Sequence, residues 1–494
     1  MTAGGRAPTG APGRAPARGG AFLDRPMASL HLVLVSGGLL LLIGLIMVLS
    51  ASMVDSYVAF NSAYRVFMKQ LMWVAMGLPL CWLGLRLPPR AYHALAYPAL
   101  LACLVALAVV LVPGIGVWVG GARRWIDLGP LQVQPSEPAK LAFVLWGAAL
   151  LVRKHTMLGQ WKHLLVPLVP VATAVAGLVM LEPDLGTMLC FVLALFGLLW
   201  TVGAPFRLFG TVGMGAVGAV VLLILAEPYR AARLTGFLDP FAHASDKGYQ
   251  AVQGLYGLAT GGWFGVGLGQ SRQKWGLLPN AHTDYIFAIL GEELGLVGCL
   301  VVLALFATLA YAGTRIARRS ADPFVRLVAG AVTVWLTGQA VINVGYVTGL
   351  LPVTGIPLPL ISFGGTSLLV TMFTLGMLAS FARHEPAAVA YLTARGPSRL
   401  ARWLRLAVPK PYVEWTRPAE RPAAPARPPR PPRPPRPPAA RLPDRSGAPR
   451  RRTVAGAATV PVRAAARPVR PSRVDPASPP RPTGTHRTPG ARPR

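Results

Sequence analysis

The sequence predicts an all-α polytopic membrane protein of about ten transmembrane helices. Three observations carry this reading. Of 494 residues, 53% are hydrophobic and only 14% are charged. The apolar residues fall in blocks of about 20, the length a helix needs to cross a bilayer. Basic residues gather in alternate connections between the blocks, the asymmetry that orients membrane helices.

Apolar blocks bounded by charged or helix-breaking residues place spans near 30–52, 68–86, 92–112, 136–152, 164–182, 187–203, 208–227, 284–313, 324–346 and 364–382. The first block is too long for a signal-peptide core and lacks a cleavage site, so it reads as a retained span. Arg86, Arg90, Arg153, Lys154, Lys162, Arg207, Arg315, Arg318, Arg319 and Arg326 mark one side. The positive-inside rule makes that side, and both termini, cytoplasmic. The outer side then holds a loop at Asp55, segments 113–135 and 346–363, a tight turn at 182–186 and a long loop over 227–283. Arg123, Arg124, Arg230, Arg233, Lys247, Arg272 and Lys274 are basic residues on the side the rule leaves depleted. An anionic ligand at the outer membrane surface would account for them.

The domain plan is a disordered cytoplasmic tail over 1–29, a membrane domain over 30–382 and an Arg/Pro-rich tail over 383–494. The net charge of +31 does not point to nucleic acid, because roughly two-thirds of it lies in the last hundred residues, outside every apolar block. A run such as ARPPRPPRPPRPPAAR cannot bury a core and reads as disordered with polyproline II character. It suits anionic membrane lipids or docking to a cytoplasmic partner. Cys81, Cys103, Cys190 and Cys299 all fall in apolar blocks without paired spacing, which argues against disulfides and zinc.

Three carboxylates stand out in GLGQSRQKWGLLPNAHTDYIFAILGEELG: Asp284, Glu292 and Glu293. Ionisable groups in an apolar run are costly and mark function or pairing. Thr283 is expected to cap the helix and Asp284 to lie in its first turn, with His282, Arg272 and Lys274 as nearby donors. That set suits a general base acting on a hydroxyl beside a phosphate-bearing substrate; the bland alternative is a good helix start. Glu292 and Glu293 lie about 12 Å deeper and are turned about 80° and 180° away, which suits bracing by buried pairs rather than chemistry.

Other candidates lie on the same side. In GGARRWIDLGPLQVQPSEPAK, Ser136 reads as an N-cap, and Glu137 pairs with Lys140 at i, i+3. With Arg123, Arg124 and Gln134 the pair would clasp a polar headgroup, or it simply shields two charges. The turn EPDLGT offers Asp184 for a cation or sugar hydroxyls, or is an ordinary solvated turn. GYQAVQGLYGLATGGWFGVGLGQ reads as a re-entrant or interfacial element lining an outer cavity, with Gln253 as a contact. Gln339 and Asn343 mark interhelical hydrogen bonds. Ser362, Gly364 and Gly365 open the last span, where backbone amides bind an anion or merely form a close-packed turn.

Five segments, GARRWIDLGPLQVQPSEPAKLA, EPDLGT, the GYQ..Q run, LPNAHTDYIFAILGEELG and GLLPVTGIPLPLISFGGTSLL, occur in the order seen in the SEDS family (shape, elongation, division and sporulation). The chain resembles that family from about 30 to 382, and its GLGQSRQKWGLLP form is closer to the division member than to the elongation member. The resemblance implies the SEDS fold and a peptidoglycan glycosyltransferase that polymerises lipid II, the undecaprenyl-pyrophosphate-linked precursor, outside the cytoplasmic membrane at the division septum. It implies a class B penicillin-binding protein as transpeptidase partner, with other divisome proteins, and makes Asp284 the catalytic residue. Arg123, Glu137 and Lys140 become candidates for the lipid II cavity. Such a reaction needs a base for the attacking 4-hydroxyl and positive charge for the departing pyrophosphate. Magnesium or manganese is a candidate to share that charge, without a legible ligand set. Asn280 stands where many relatives carry Glu, and 352–355 lacks a Lys that some carry, which shifts the phosphate role toward Arg272 and Lys274. A lipid II flippase and a recruiting scaffold are the competing readings.

Overall fold

The computed structural model describes residues 22–119, 121–129, 131–154, 161–226, 236–246 and 248–413. The tails expected over 1–21 and 414–494, and Arg230, Arg233 and Lys247, lie outside the described residues.

Helices α1 (Ala28–Phe60), α2 (Arg65–Arg86) and α3 (Pro89–Val110) open the chain. A small antiparallel sheet follows, β1 (Gly116–Val119), β2 (Ala122–Asp127) and β3 (Gln132–Val133). Then come α4 (Ser136–Arg153), α5 (Trp161–Leu181), α6 (Leu185–Val202), α7 (Phe206–Ala226), α8 (Tyr249–Gly261), α9 (Ile286–Arg319), α10 (Pro323–Val347) and α11 (Gly365–Arg383). Each expected span falls on one of these helices. Seven of them, α1, α2, α3, α6, α9, α10 and α11, are long and apolar enough to cross a membrane.

Helix α4 carries Glu137, Lys140 and Arg153 in 18 residues. A helix with that charge cannot face lipid on all sides, and α4 sits inside the bundle, packed against α3, α6, α10 and α11. Most of its residues are buried, Lys140 among them.

The sheet is the first departure from the sequence reading, which treats 113–135 as irregular loop. Gly116, Val117 and Trp118 alternate with β2 across a register shift between Val117 and Trp118. A strand of six residues interrupted by a bulge is too short to leave a clear period-2 signal.

The second departure concerns α9. It starts at Ile286, with Tyr285 as its N-cap residue, so Thr283 is not the cap and Asp284 lies in the preceding turn. The helix also breaks at Gly295, where φ is 66° and ψ is −167°. That backbone conformation is essentially confined to glycine. The break frees backbone groups, and the loop after α8 takes them up. Val266 and Gly267 donate to the carbonyls of Glu292 (2.9 Å) and Glu293 (3.1 Å), while Leu296 and Val297 donate to those of Gly262 (2.9 Å) and Trp263 (3.1 Å). In an apolar setting each of these bonds matters, because no water replaces it. A Cβ at Gly295 would lie 2.4 Å from the Gly265 nitrogen, so the loop seats only against a bare backbone.

The chain after α11 also differs from the expected tail. Helices α12 (Pro386–Arg395) and α13 (Arg399–Trp403) follow, and the next residues fold back: Trp82 donates to the Leu404 carbonyl (2.9 Å) and Arg383 to that of Ala407 (2.8 Å).

Gly295→Ala is expected to destabilise the protein by about 1–3 kcal/mol from backbone strain alone, read as a lower unfolding temperature in detergent. An unchanged unfolding temperature contradicts the clasp at the helix break.

Candidate active site

A cavity of about 400 Å³ opens at the end of the bundle where α4, α6, α9 and α11 begin. Its walls carry Asp284 with Asn280 and Thr283, Glu137 and Lys140 of α4, and Asp184, Thr187 and Cys190 at the start of α6. The sheet adds Arg124, Trp125 and Gln134 nearby; Gly355–Pro357 and Phe363–Gly365 close the rim with Ser367. Four helix N-termini therefore present their positive dipole ends to one space, a field that favours an anion.

Asp284 is held through its backbone. The Asn343 side-chain nitrogen lies 3.0 Å from the Asp284 carbonyl oxygen and 2.8 Å from that of Ile356. The Tyr346 hydroxyl lies 2.9 and 2.8 Å from the same two oxygens. Helix α10 thus ties the turn before α9 to the loop before α11. A Cβ at Gly355 would sit 3.5 Å from Asp284 Oδ2, so that loop lies directly beside the carboxylate.

The opposite wall is a network of charges. Lys140 Nζ donates to Glu137 Oε1 at 2.9 Å with both side chains buried, and lies 5.3 Å from the centre of the Trp335 ring. Asp184 caps α6 by accepting from the Thr187 amide and hydroxyl, each at 2.9 Å, and from Gln134 Nε2 at 3.1 Å. Arg124 reaches over the turn, donating to the carbonyls of Glu182 (2.9 Å) and Pro183 (2.5 Å), with Asp184 Oδ2 at 3.9 Å.

Most of the other expected site residues fall outside the cavity lining. The register shift leaves Arg124 as the extra residue of β2, between Arg123 opposite Trp118 and Trp125 opposite Val117, and Arg124 and Trp125 both line the cavity. The Arg123 guanidinium instead lies 5.6 Å from the centre of the Trp118 ring. Ser136 begins α4 but makes no capping bond, and its buried hydroxyl has no hydrogen-bond partner. His282 is turned toward Asp55 (3.6 Å) and stacks edge-on to Phe363. Ser362 accepts from the Leu358 amide (2.8 Å), closing its own loop. Gln253 stays on α8, and Arg272 is exposed. Gly364 and Gly365 do line the rim, but a Cβ at Gly365 would come within 2.4 Å of the Trp73 ring, so close packing on α2 also demands that glycine.

Lys274 corrects the assignment of a phosphate contact. It is 4% exposed, and its Nζ lies 3.4 Å from Glu293 Oε1, 3.4 Å from Ser50 Oγ and 2.5 Å from the Gly269 carbonyl. Glu293 also accepts from Ser50 of α1 at 2.6 Å. Glu292 accepts from the Ser271 hydroxyl and from the amides of Arg272 (3.0 Å) and Gln273 (3.4 Å). Both glutamates brace the loop that carries Lys274. Their shared task is to satisfy that loop inside the bundle, and it engages the lysine.

Glu182, in the turn between α5 and α6, is fully buried with neither carboxylate oxygen hydrogen-bonded. Burial, reinforced by the neighbouring Asp184 and opposed by Arg124, pushes its carboxyl up to about 8. The sequence reads this turn as solvated, whereas the fold encloses Glu182. Among the described residues no three His, Cys, Asp or Glu side chains converge as a metal site. Glu137 and Asp184 are already engaged, so a protein-held magnesium or manganese does not fit these residues.

Fold and cavity together define a polytopic membrane protein with a carboxylate-bearing polar site sunk into one end of its helix bundle. The family model described as "Cell cycle protein", covering FtsW, RodA and SpoVE, matches residues 30–387. The chain belongs to this family, the SEDS proteins. It is 46% identical over 396 residues to the probable peptidoglycan glycosyltransferase FtsW of Mycobacterium tuberculosis (strain ATCC 25618 / H37Rv), covering 80% of this chain and 76% of that one. To the stage V sporulation protein E of Bacillus subtilis (strain 168) it is 37% identical over 347 residues, covering 70% and 95%. A chain of a solved peptidoglycan synthase complex, described as coordinating polymerization and crosslinking, superposes with a TM-score of 0.59 at 29% identity, over 72% of this chain and 97% of that one. The rod shape determining protein RodA of Thermus thermophilus gives 0.53 at 28% identity, over 72% and 96%.

Glu182→Gln supplies a pH test. A carboxyl kept protonated by the fold favours the folded state fully below its unfolded value of 4.5, and that advantage is lost as pH rises toward about 8. The thermal stability of the wild type relative to Glu182→Gln is expected to decline across that window. A constant difference between pH 4.5 and 8 contradicts the buried neutral acid.

Proposed function

We propose that this protein is a peptidoglycan glycosyltransferase of cell division that polymerises lipid II, with Asp284 as general base. The observation that carries the reading is that Asp284 and the basic, dipole-rich wall of Arg124 and Lys140 open on one cavity. The acceptor's 4-hydroxyl attacks the anomeric carbon of the lipid-linked sugar, and the bond from that carbon to the pyrophosphate breaks. Asp284 takes the hydroxyl proton as the new bond forms. The lipid pyrophosphate leaves with its electron pair, where Arg124, Lys140 and the four helix N-termini balance the growing negative charge. Lys140 is already paired with Glu137, so the exposed edge of Arg124 is the more adaptable partner. This departs from the sequence reading, which shifts the phosphate role toward Arg272 and Lys274.

The polar groups that line this cavity lie together at one end of the bundle, an arrangement that favours surface chemistry over a flippase. We place that end outside the cytoplasmic membrane, with ten spans, both termini cytoplasmic and the protein at the septum. The partner in this reading is a class B penicillin-binding protein. Other divisome proteins meet the tail or exposed helices, and the tail's arginines face anionic membrane lipids.

Purified protein with its transpeptidase partner is expected to convert lipid II into glycan strands. Asp284→Ala is expected to lower the rate by at least about 100-fold, the scale of a lost general base, while the complex still assembles. Strands formed at the wild-type rate by Asp284→Ala contradict the assignment.

A further inference from the structure

Helix α11 joins two cavities. Its first residue, Gly365, lines the candidate active site, and its last, Arg383, lines a second cavity of about 300 Å³. Nineteen residues at 1.5 Å each span about 28 Å, close to the hydrocarbon thickness of a bilayer. The second cavity therefore lies at the opposite membrane surface, where α2 ends and α3 and α10 begin.

Its lining is basic and apolar together. Arg86, Arg90, Arg383 and Lys410 supply four cations, with His384 beside them, against one carboxylate, Asp322. Asp322 is already engaged: its Oδ1 accepts from the Phe324 amide at 2.9 Å to cap α10, and Arg90 offsets its charge. Pro88, Val325, Val408 and Pro411 form the greasy part. Arg383 is the telling residue. It is only 6% exposed, donates to the Ala407 carbonyl at 2.8 Å, and has no carboxylate within ion-pair distance among the described residues. A buried guanidinium without a counter-charge is costly. Here it faces a cavity rather than a wall, which leaves room for an anion to supply the missing charge.

We propose that this cavity binds the phosphodiester headgroup of an anionic phospholipid from the adjoining leaflet. Arg383 holds the phosphate from within, Lys410 and Arg86 close over it, and the apolar lining takes the glycerol and the first methylenes. A free phosphate satisfies the cations but leaves the apolar lining without a partner. The segment from Ala407 to Val413 forms one side of the cavity, so the bound lipid fastens the start of the Arg/Pro-rich tail to the membrane surface.

The test is native mass spectrometry of the full-length, delipidated protein titrated with phosphatidylglycerol, phosphatidylcholine or inorganic phosphate. Phosphatidylglycerol is expected to bind where phosphatidylcholine does not. Arg383→Gln and Lys410→Gln are each expected to weaken it about tenfold, the scale of one charge-assisted hydrogen bond. Arg318→Gln, an exposed cation in the last turn of α9 outside the cavity, is expected to change nothing. Lys410 is exposed, so its variant reads the site even if Arg383→Gln lowers the folded yield. Equal binding by all variants, or equal loss with Arg318→Gln, overturns the site in favour of general charge attraction. Displacement of phosphatidylglycerol by equimolar inorganic phosphate overturns the lipid assignment.

Discussion

The rest of this structure depends on one constraint: a charge placed inside a membrane bundle must find its partner there. Lys140 and Glu137 meet it at 2.9 Å inside α4. Removing either one leaves an uncompensated buried ion, a loss of about 3–5 kcal/mol. Satisfying the pair requires α4 to be surrounded by other helices, and α3, α6, α10 and α11 surround it. The same rule works at the other polar centre, where Glu293 holds Ser50 and Lys274, and Glu292 collects the amides of the loop. The two centres fix α4 and the segment between α8 and α9, and the cavity forms between them.

Asp284 lines the cavity, and its backbone carbonyl is clamped by Asn343 and Tyr346. The helix starts around it supply a positive field without further ionised groups, which suits a departing pyrophosphate in a site of low dielectric. An acid on one wall and a basic, dipolar field on the other is the division of labour that glycosyl transfer from a lipid pyrophosphate needs.

Much of this was legible in the sequence, for physical reasons. Apolar blocks of bilayer length locate every long helix, because hydropathy is a local property. The Glu137–Lys140 pair is also local, at i, i+3 on one helix. What escaped reading was long-range or backbone-borne. The choice of Arg124 over Arg123 turns on a bulge in β2 that the sequence does not reveal. Lys274 lies ten residues from Asp284 in sequence yet is claimed by Glu293. The break at Gly295 hides in GEELGLVG, where the glycine looks like an ordinary membrane-helix residue until the incoming loop is known. Asn343 reads correctly as a hydrogen-bonding residue, but its targets, two backbone carbonyls, cannot be named from spacing alone.

The central claim is that the cavity separates chemistry at Asp284 from anion binding at the wall of Arg124 and Lys140. Equilibrium binding of lipid II to Asp284→Asn and Arg124→Gln proteins tests it most directly. The account predicts that Asp284→Asn binds lipid II as tightly as the wild type, while Arg124→Gln binds it about tenfold more weakly. Loss of lipid II binding by Asp284→Asn, with Arg124→Gln unaffected, would contradict it.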